Sequence, residues 1–409
     1  MDNKIPNIYL LLFTLYWAQG LPVGFMTHAL PVLLRAEGVS LAKIGGFGLL
    51  MLPWALKALW APWIDQRHRF RFWILWTQFF SIILLIILAN LSISNLQQLT
   101  QLYVFFIVLF LLNSAGATQD IATDGLAVHL LHNHQQHWGN ALQVIGSRLG
   151  FIVGGGAMLW AVGIWGWYTS FLGLAVLIVL NTIPILFYRQ HSASFNHLKS
   201  NTISQRSWRI YFDYFIKQKQ QLMWLLVLLS FKIADGLLGP MSKTMMVDLG
   251  LSLSQIGLFI SILGAVAALI GACVAAGMLR FLRRDQALIW LSSMKLFSLL
   301  GMVWLAVELQ SQHVVSHFLI YLLHAFEEFC SAMLLVVIFT LIMQYCRMEY
   351  AATDFTLQVS VMALMNGFFY FLGGIITQYI GYSKMSSCVV LIGFISLYLI
   401  FKWKNGYMK

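Results

Sequence analysis

Long apolar runs are the feature of this chain that most limits its fold. Crossing a hydrocarbon core about 30 Å thick takes roughly 20 helical residues, and twelve apolar runs separated by short polar breaks approach or exceed that length. The runs cover residues 8–34, 44–64, 73–92, 101–130, 139–163, 166–188, 222–247, 253–279, 287–308, 316–345, 351–378 and 386–403. Inside a bilayer the backbone must satisfy its own hydrogen bonds, and a helix does so within each segment. The runs therefore predict an all-α integral membrane protein with twelve transmembrane helices.

The composition agrees with solvation by lipid. Apolar residues make up 60% of the chain and charged residues only 10%, whereas water-soluble domains carry about 25% charged residues. The first apolar run is longer than the core of a signal peptide, so we expect its helix to be retained. The four cysteines are scattered, and we predict neither a disulfide, nor a metal site, nor any cofactor.

Basic residues predict the orientation of the chain. If both termini are cytoplasmic, the inside segments hold 17 of the 25 Lys and Arg residues and the outside loops hold three, as the positive-inside rule requires. The net charge of +11 is then explained by attraction to the anionic cytoplasmic leaflet, without a nucleic-acid partner. We predict a multi-pass protein of the bacterial inner membrane.

The polar segment 189–221 divides the apolar runs into two sets of six. We predict an N-terminal six-helix bundle at 1–188, a cytoplasmic linker at 189–221 and a C-terminal six-helix bundle at 222–409. An internal match supports this division, because Val39-Ser-Leu-Ala-Lys-Ile-Gly-Gly-Phe47 resembles Leu251-Ser-Leu-Ser-Gln-Ile-Gly-Leu-Phe259 at the corresponding place in the other half. Two parallel six-helix repeats are the architecture of major facilitator superfamily transporters.

Glycine and proline interrupt the first span and the seventh. Because these residues loosen or break helices, and because transporter sites form where corresponding helices are interrupted, we predict gating positions here. They are Gly20 and Pro22 in the first span, and Gly236 and Pro240 in the seventh. The alternative is that glycine and proline are simply common in membrane helices.

Ionisable residues within the spans are the sharpest functional signal. Each costs about 2.5–3.5 kcal/mol at the centre of a membrane helix, so these groups must face one another or water. The acids are Asp120, Asp124, Asp235, Glu327 and Glu328, and the bases are Lys57, Arg148, Lys232, Lys243 and Lys295. We predict a substrate cavity lined by Gln19, Lys57, Gln119, Lys232, Asp235 and Lys295.

Asp120 and Asp124 are four residues apart and therefore share one helix face. Arg148 lies at a similar depth in the next span, about 15 Å from the cytoplasmic end, so we expect it to pair with this acidic face. A carboxylate that exchanges such a partner for a proton can couple transport to a proton gradient. The alternative is a permanent ion pair that locks two helices together.

Several other polar groups carry weaker predictions. His324 and Glu328 are one turn apart and, with Glu327, predict a second proton or substrate site. Lys232 and Asp235 are three residues apart and can neutralise each other. Asp65, at a cytoplasmic helix end, predicts a conformational latch or a helix cap. The glycines from Gly154 to Gly156 predict close helix packing, and the histidines between 129 and 137 predict a wet surface cluster rather than a metal site.

Four segments carry a family resemblance. Lys57-Ala-Leu-Trp-Ala-Pro-Trp-Ile-Asp65, Ala117-Thr-Gln-Asp-Ile-Ala-Thr-Asp124, Gly146-Ser-Arg-Leu-Gly150 and Ala352-Thr-Asp-Phe355 resemble the second, fourth, fifth and eleventh helices of the AmpG-like branch of the major facilitator superfamily. Within that branch, Gly125 makes the chain similar to the RhtX/FptX siderophore-uptake family, since muropeptide permeases usually carry alanine there.

The resemblance implies proton-driven import of a siderophore, free or ferric, by a carrier that works as a monomer. A muropeptide or another amphiphilic anion is the near alternative. A membrane acyltransferase is a distant one, since the charged residues lie at mid-depth and an enzyme would need its catalytic pair at one membrane face. We therefore predict a transporter and not an enzyme.

Overall fold

The computed structural model describes residues 7–36, 47–67, 69–91, 99–188, 209–251, 255–256 and 262–407. These ranges contain helices and turns and no strand. The chain divides into two compact units, of which the first is Met1–Ile203 with Cys346–Ser360 and the second is Ser204–Tyr345 with Val361–Lys409. Most of the repeated motif at 39–47 and 251–259 lies outside the described residues, and so do the side chains of Pro240 and Lys243.

The first unit is built from eight described helices. They are α1 (Ile8–Gly24), α2 (Leu30–Ala36), α3 (Leu52–Leu56), α4 (Ala61–Arg67), α5 (Phe70–Asn90), α6 (Leu99–Leu130), α7 (Gln136–Ile152) and α8 (Met158–Phe187). A π-helical turn, Phe25–Ala29, joins α1 to α2, and a second one, Val153–Ala157, joins α7 to α8. Apolar side chains of α1, α5, α6 and α8 form its core.

The second unit holds the remaining described helices, although the first residues of the last helix belong to the first unit. They are α9 (Arg209–Lys217), α10 (Lys219–Asp248), α11 (Leu263–Met278), α12 (Arg284–Gln310), α13 (His317–Gln344) and α14 (Ala351–Tyr407). Part of the predicted linker at 189–221 is thus helical, because it contains α9. This helix buries Tyr211 and Phe215. The division into 1–188 and 222–409 stays a prediction.

Eight helices in the described part of the chain are long and apolar enough to cross a membrane. Two of them, Gln136–Phe187 and Met348–Asn405, contain 52 and 58 residues, far more than one crossing needs. Each is broken by a glycine with positive φ, Gly166 at 78° and Gly381 at 79°, a conformation that residues with a side chain rarely adopt. The count of twelve spans and the cytoplasmic termini stay predictions.

Close backbone contact between α1 and α7 organises the first unit. A Cβ added to Gly150 would lie 2.6 Å from the Cα of Gly20, and one added to Gly154 would fall on the carbonyl oxygen of Leu21. Small residues allow membrane helices to approach in this way. The close packing predicted for Gly154 is confirmed, whereas a Cβ on Gly156 would meet nothing within 4 Å.

Candidate functional site

A row of side chains from the segment 54–60 binds the polar face of α6. This segment includes a 3-10 turn, in which residues three apart lie above one another, and Trp54, Lys57 and Trp60 have that spacing. The indole of Trp54 donates to Asn113 Oδ1 at 3.0 Å, and that of Trp60 donates to Thr118 Oγ1 at 3.2 Å. The row therefore places Lys57 directly against the charged part of α6.

Lys57 is the cation that pairs with Asp120. Its ammonium forms an ion pair with Asp120 Oδ2, and the lysine side chain is only 2% exposed. Trp54 covers the ammonium, with 5.7 Å between Lys57 Nζ and the ring centroid. Two opposite charges in a low-dielectric interior stabilise each other only while both are present, so this pair ties the segment 54–60 to α6.

Asp124 lies one turn further along α6 in a different environment. Its Oδ1 atom accepts hydrogen bonds from the Tyr16 hydroxyl at 3.0 Å and from Gln143 Nε2 at 3.2 Å. Both donors are neutral, and the residue is 1% exposed. Among the described residues Asp124 Oδ2 has no hydrogen-bond partner. Asp120 and Asp124 thus share a face, as predicted, and in the part of the chain that the structure describes the ion pair on this face is formed by Asp120.

Gln19 and Gln119, also predicted to lie near this face, are buried. Gln19 Nε2 donates to Thr123 Oγ1 at 3.0 Å, which links α1 to α6, and Gln119 is buried beside this contact on α6. Arg148 is half-buried on α7, and its pairing with the acidic face stays a prediction. Gly20 packs against α7, and Pro22 lies inside α1 just before the π-helical turn.

A second charged cluster lies in the second unit, around Lys295 of α12. The Lys295 ammonium contacts Glu327 and Ser331 of α13, and it lies 3.6 Å from Asp235 Oδ1 of α10. Lys232 forms an ion pair with the other oxygen of Asp235 at 3.0 Å, so the neutralisation predicted from their spacing is present. One lysine therefore holds acids from two different helices.

His324 and Glu328 border this cluster. Both side chains lie against Gly264 of α11, where an added Cβ would be 3.2 Å from His324 Nε2 and 3.3 Å from Glu328 Cγ. His324 is buried and Glu328 half-buried. That they form a second proton or substrate site stays a prediction. Gly236 packs on the backbone of α14, since its Cβ would lie 2.8 Å from the Asn366 carbonyl oxygen, and α10 remains helical through it.

Asp65 of α4 caps the start of α14. Its carboxylate accepts hydrogen bonds from the backbone nitrogen of Ala352 at 3.0 Å and from both the backbone and the hydroxyl of Thr353. The first N–H groups of a helix have no partner within the helix and carry partial positive charge. Burial raises the pKa of Asp65 to about 7, although the Thr353 and Ala352 hydrogen bonds act in the opposite direction. Asp65 thus caps α14 and not the helix on which it lies, and the latch stays a prediction.

The histidine cluster differs from its prediction. His132 and His134 are exposed and stack with ring centroids 6.0 Å apart. His129 is only half-buried and hydrogen-bonds to the Gly125 carbonyl oxygen at 2.8 Å, while His137 is buried. A wet surface cluster is therefore wrong for His137, because α7 begins at Gln136 and carries that side chain into the unit.

Three residues of these clusters were not predicted from the sequence. Tyr16 lies three residues before Gln19, so the helical period places the two on one face of α1. Gln143 is a polar residue within an apolar run, and Ser331 follows Glu327 by one turn and donates to it at 3.0 Å. Polar residues one turn from a predicted site residue were the available signal.

Known proteins resemble the chain in sequence and in fold. The family described as acetyl-coenzyme A transporter 1 matches residues 7–160. The chain is 26% identical to the anhydromuropeptide permease of Escherichia coli strain K12 across 87% of this chain and 71% of the permease. It is 24% identical to AmpG 4 of Rickettsia conorii across 95% of this chain and 94% of that protein.

Among solved structures, the fucose:proton symporter FucP of E. coli superposes with a TM-score of 0.72 at 12% identity, covering 99% of both chains. FucP is a major facilitator superfamily transporter. At this low identity the likeness concerns the fold. This all-helical membrane protein therefore has the fold of the major facilitator superfamily transporters, and its relatives in sequence include AmpG-like proteins.

Proposed function

We propose that the protein is a secondary transporter that moves a small solute across the inner membrane together with protons. The proposal rests on two buried carboxylates of α6, those of Asp120 and Asp124. The ammonium of Lys57 forms an ion pair with Asp120, and the Tyr16 hydroxyl donates to Asp124. Buried charge in a membrane protein is costly and is retained where ions or substrates pass. The fold, which is that of major facilitator superfamily transporters, supports the same proposal.

An anhydromuropeptide is the first solute to test. The relative in E. coli that covers most of this chain is an anhydromuropeptide permease. Both charged clusters carry acids and bases together, which suits a solute that bears charges of both signs. Of the predicted cavity residues, Lys57, Gln19 and Gln119 lie in the first unit, and Lys232, Asp235 and Lys295 lie in the second.

A siderophore is the second candidate, and one position favours it. Gly125 marks the similarity to the RhtX/FptX family, and a Cβ at this position would lie 2.7 Å from both the Ala352 Cβ and the Phe70 ring. An alanine here would require the Phe70 ring and the Ala352 side chain to shift. The siderophore would enter the cytoplasm free or with its iron, which is cargo and not a cofactor.

Uptake into proteoliposomes tests the proposal. Labelled anhydromuropeptide and labelled siderophore are supplied separately, with and without an imposed proton gradient, to vesicles that contain the wild-type protein or Lys295→Met. We expect gradient-dependent uptake of one solute by the wild type and a loss of at least tenfold in the variant. The exposed pair Asp213–Lys217 provides the matched control Lys217→Met, which should transport like the wild type. Absence of uptake for both solutes would contradict the proposal that the protein transports an anhydromuropeptide or a siderophore.

A further inference from the structure

The acidic face of α6 carries more carboxylates than ammonium groups. Two carboxylates, Asp120 and Asp124, lie one turn apart, and among the described residues the cation that contacts this face is Lys57. The charges of Asp120 and Lys57 both act on Asp124, and Tyr16 of α1 donates to it. Cys346, just before α14, is a further titratable group within electrostatic reach of Asp124. Two buried carboxylates beside one ammonium leave one negative charge without compensation unless a proton binds.

The geometry decides which carboxylate takes that proton. Asp120 forms the ion pair, and adding a proton to it would leave the ammonium of Lys57 buried without its counter-charge, which is strongly unfavourable. Asp124 accepts hydrogen bonds from two neutral donors, both at Oδ1, and its carboxyl group also interacts with the carboxyl group of Asp120. Its Oδ2 atom is buried and without a hydrogen-bond partner among the described residues, so it is open to protonation.

We propose that the carboxyl group of Asp124 is the binding site for the coupling proton, while the Lys57–Asp120 pair stays ionised. The proton forms a bond to Asp124 Oδ2, and the group becomes a neutral acid. In that state Tyr16 and Gln143 still donate to Oδ1, so protonation requires no rearrangement of these hydrogen bonds. Release of the proton to water returns the carboxylate. The proposal rests on the proposed transport function and assigns one residue within it.

Infrared difference spectroscopy of the full-length protein in lipid tests the proton site without any substrate. Spectra are recorded at about pH 7 for the wild type, Asp124→Asn and the double variant Lys57→Met/Asp120→Asn. Asparagine retains the acceptor for Tyr16 and Gln143, and the double variant removes both charges of the ion pair together. We expect the wild-type minus Asp124→Asn spectrum to contain the C=O stretch of about one protonated carboxylic acid.

The spectrum of the double variant should instead lack carboxylate bands of the wild type and keep the carboxylic acid band. Carboxylate bands, and no carboxylic acid band, in the wild-type minus Asp124→Asn spectrum would overturn the proposal. If Asp124→Asn does not fold, Asp124→Glu serves in its place, because it must shift the frequency of the acid band without removing it. An unshifted band in that variant would equally contradict the assignment.

Measurement of solute uptake provides a second test of the proton site. Uptake by Asp124→Asn should no longer rise when a proton gradient is imposed. A wild-type protein that transports neither solute but shows the acid band at Asp124 would refute the transport function and leave the proton site intact. Gradient-driven uptake that survives in Asp124→Asn would refute its coupling role even where the band is present.

Discussion

At the scale of single residues, Lys57 and Asp120 show how a buried charge depends on its partner. The lysine comes from a short 3-10 turn and the aspartate from a long helix, and both are nearly inaccessible to solvent. An ion pair in this setting contributes less to stability than its attraction suggests, because each group loses its hydration. Removing one partner alone is much worse, because the other charge is then left buried.

Lys57→Met should therefore lower the free energy of unfolding by about 3–5 kcal/mol. Lys57→Met/Asp120→Asn should recover most of this loss, since no uncompensated charge remains. Equilibrium unfolding in mixed micelles measures both, with Lys217→Met as control, because its exposed pair with Asp213 contributes only about 0.3–0.5 kcal/mol. Equal losses in the single and double variants would show that the pair is not the source of the effect.

At the scale of elements, the π-helical turn Val153–Ala157 contains a natural comparison between two glycines. Gly154 faces the backbone of α1, and Gly156 faces open space. A methyl group at the first position must push two helices apart, because the obstacle is main chain rather than a flexible side chain. A methyl group at the second position meets no atom.

Gly154→Ala should destabilise the protein by about 1–3 kcal/mol, the usual effect of overpacking. Gly156→Ala should change stability little, or raise it by about 0.4–1 kcal/mol through the lower entropy of the unfolded chain. Thermal unfolding in detergent distinguishes the two variants. Equal effects at both positions would mean that this turn does not make close contact with the backbone of α1.

At the scale of the whole chain, Asp65 binds residues that lie almost 300 positions away in sequence. Its hydrogen bonds to Ala352 and Thr353 hold the beginning of α14 within the first unit. The raised pKa of about 7 means that the folded protein keeps a proton on Asp65 at pH values where the unfolded chain, with a pKa of 3.8, has released it. Asp354 is the charged group beside it that raises the pKa further.

Because the folded state binds more protons between about pH 4 and pH 7, the contribution of Asp65 to stability is present below that range and declines through it. Its full size is on the order of 4 kcal/mol. The melting temperature of the wild type relative to Asp65→Asn should thus fall as the pH rises from about 5 to 7 and level off above that. A pH-independent difference between the two would exclude titration of Asp65 in this range.

Much of the protein could be predicted from the order of its residues. Apolar runs of membrane length predicted helices, because a lipid-exposed backbone has no other partner for its hydrogen bonds. Periodicity placed Asp120 and Asp124 on one face and paired Lys232 with Asp235, because residues three or four apart are neighbours on any helix. The small side chains at Gly154 and Gly150 indicated close helix contact for the same local reason.

The partners across helices were decided by tertiary structure alone. The sequence favoured Arg148 as the cation for the acidic face, while packing brings Lys57 to Asp120, Tyr16 to Asp124 and Asp65 to Thr353. These pairs are between 63 and 288 positions apart, and no spacing rule reaches that far. Which helices touch depends on how apolar faces and glycine contacts fit together in three dimensions, and the chemistry of the buried charges follows from that fit.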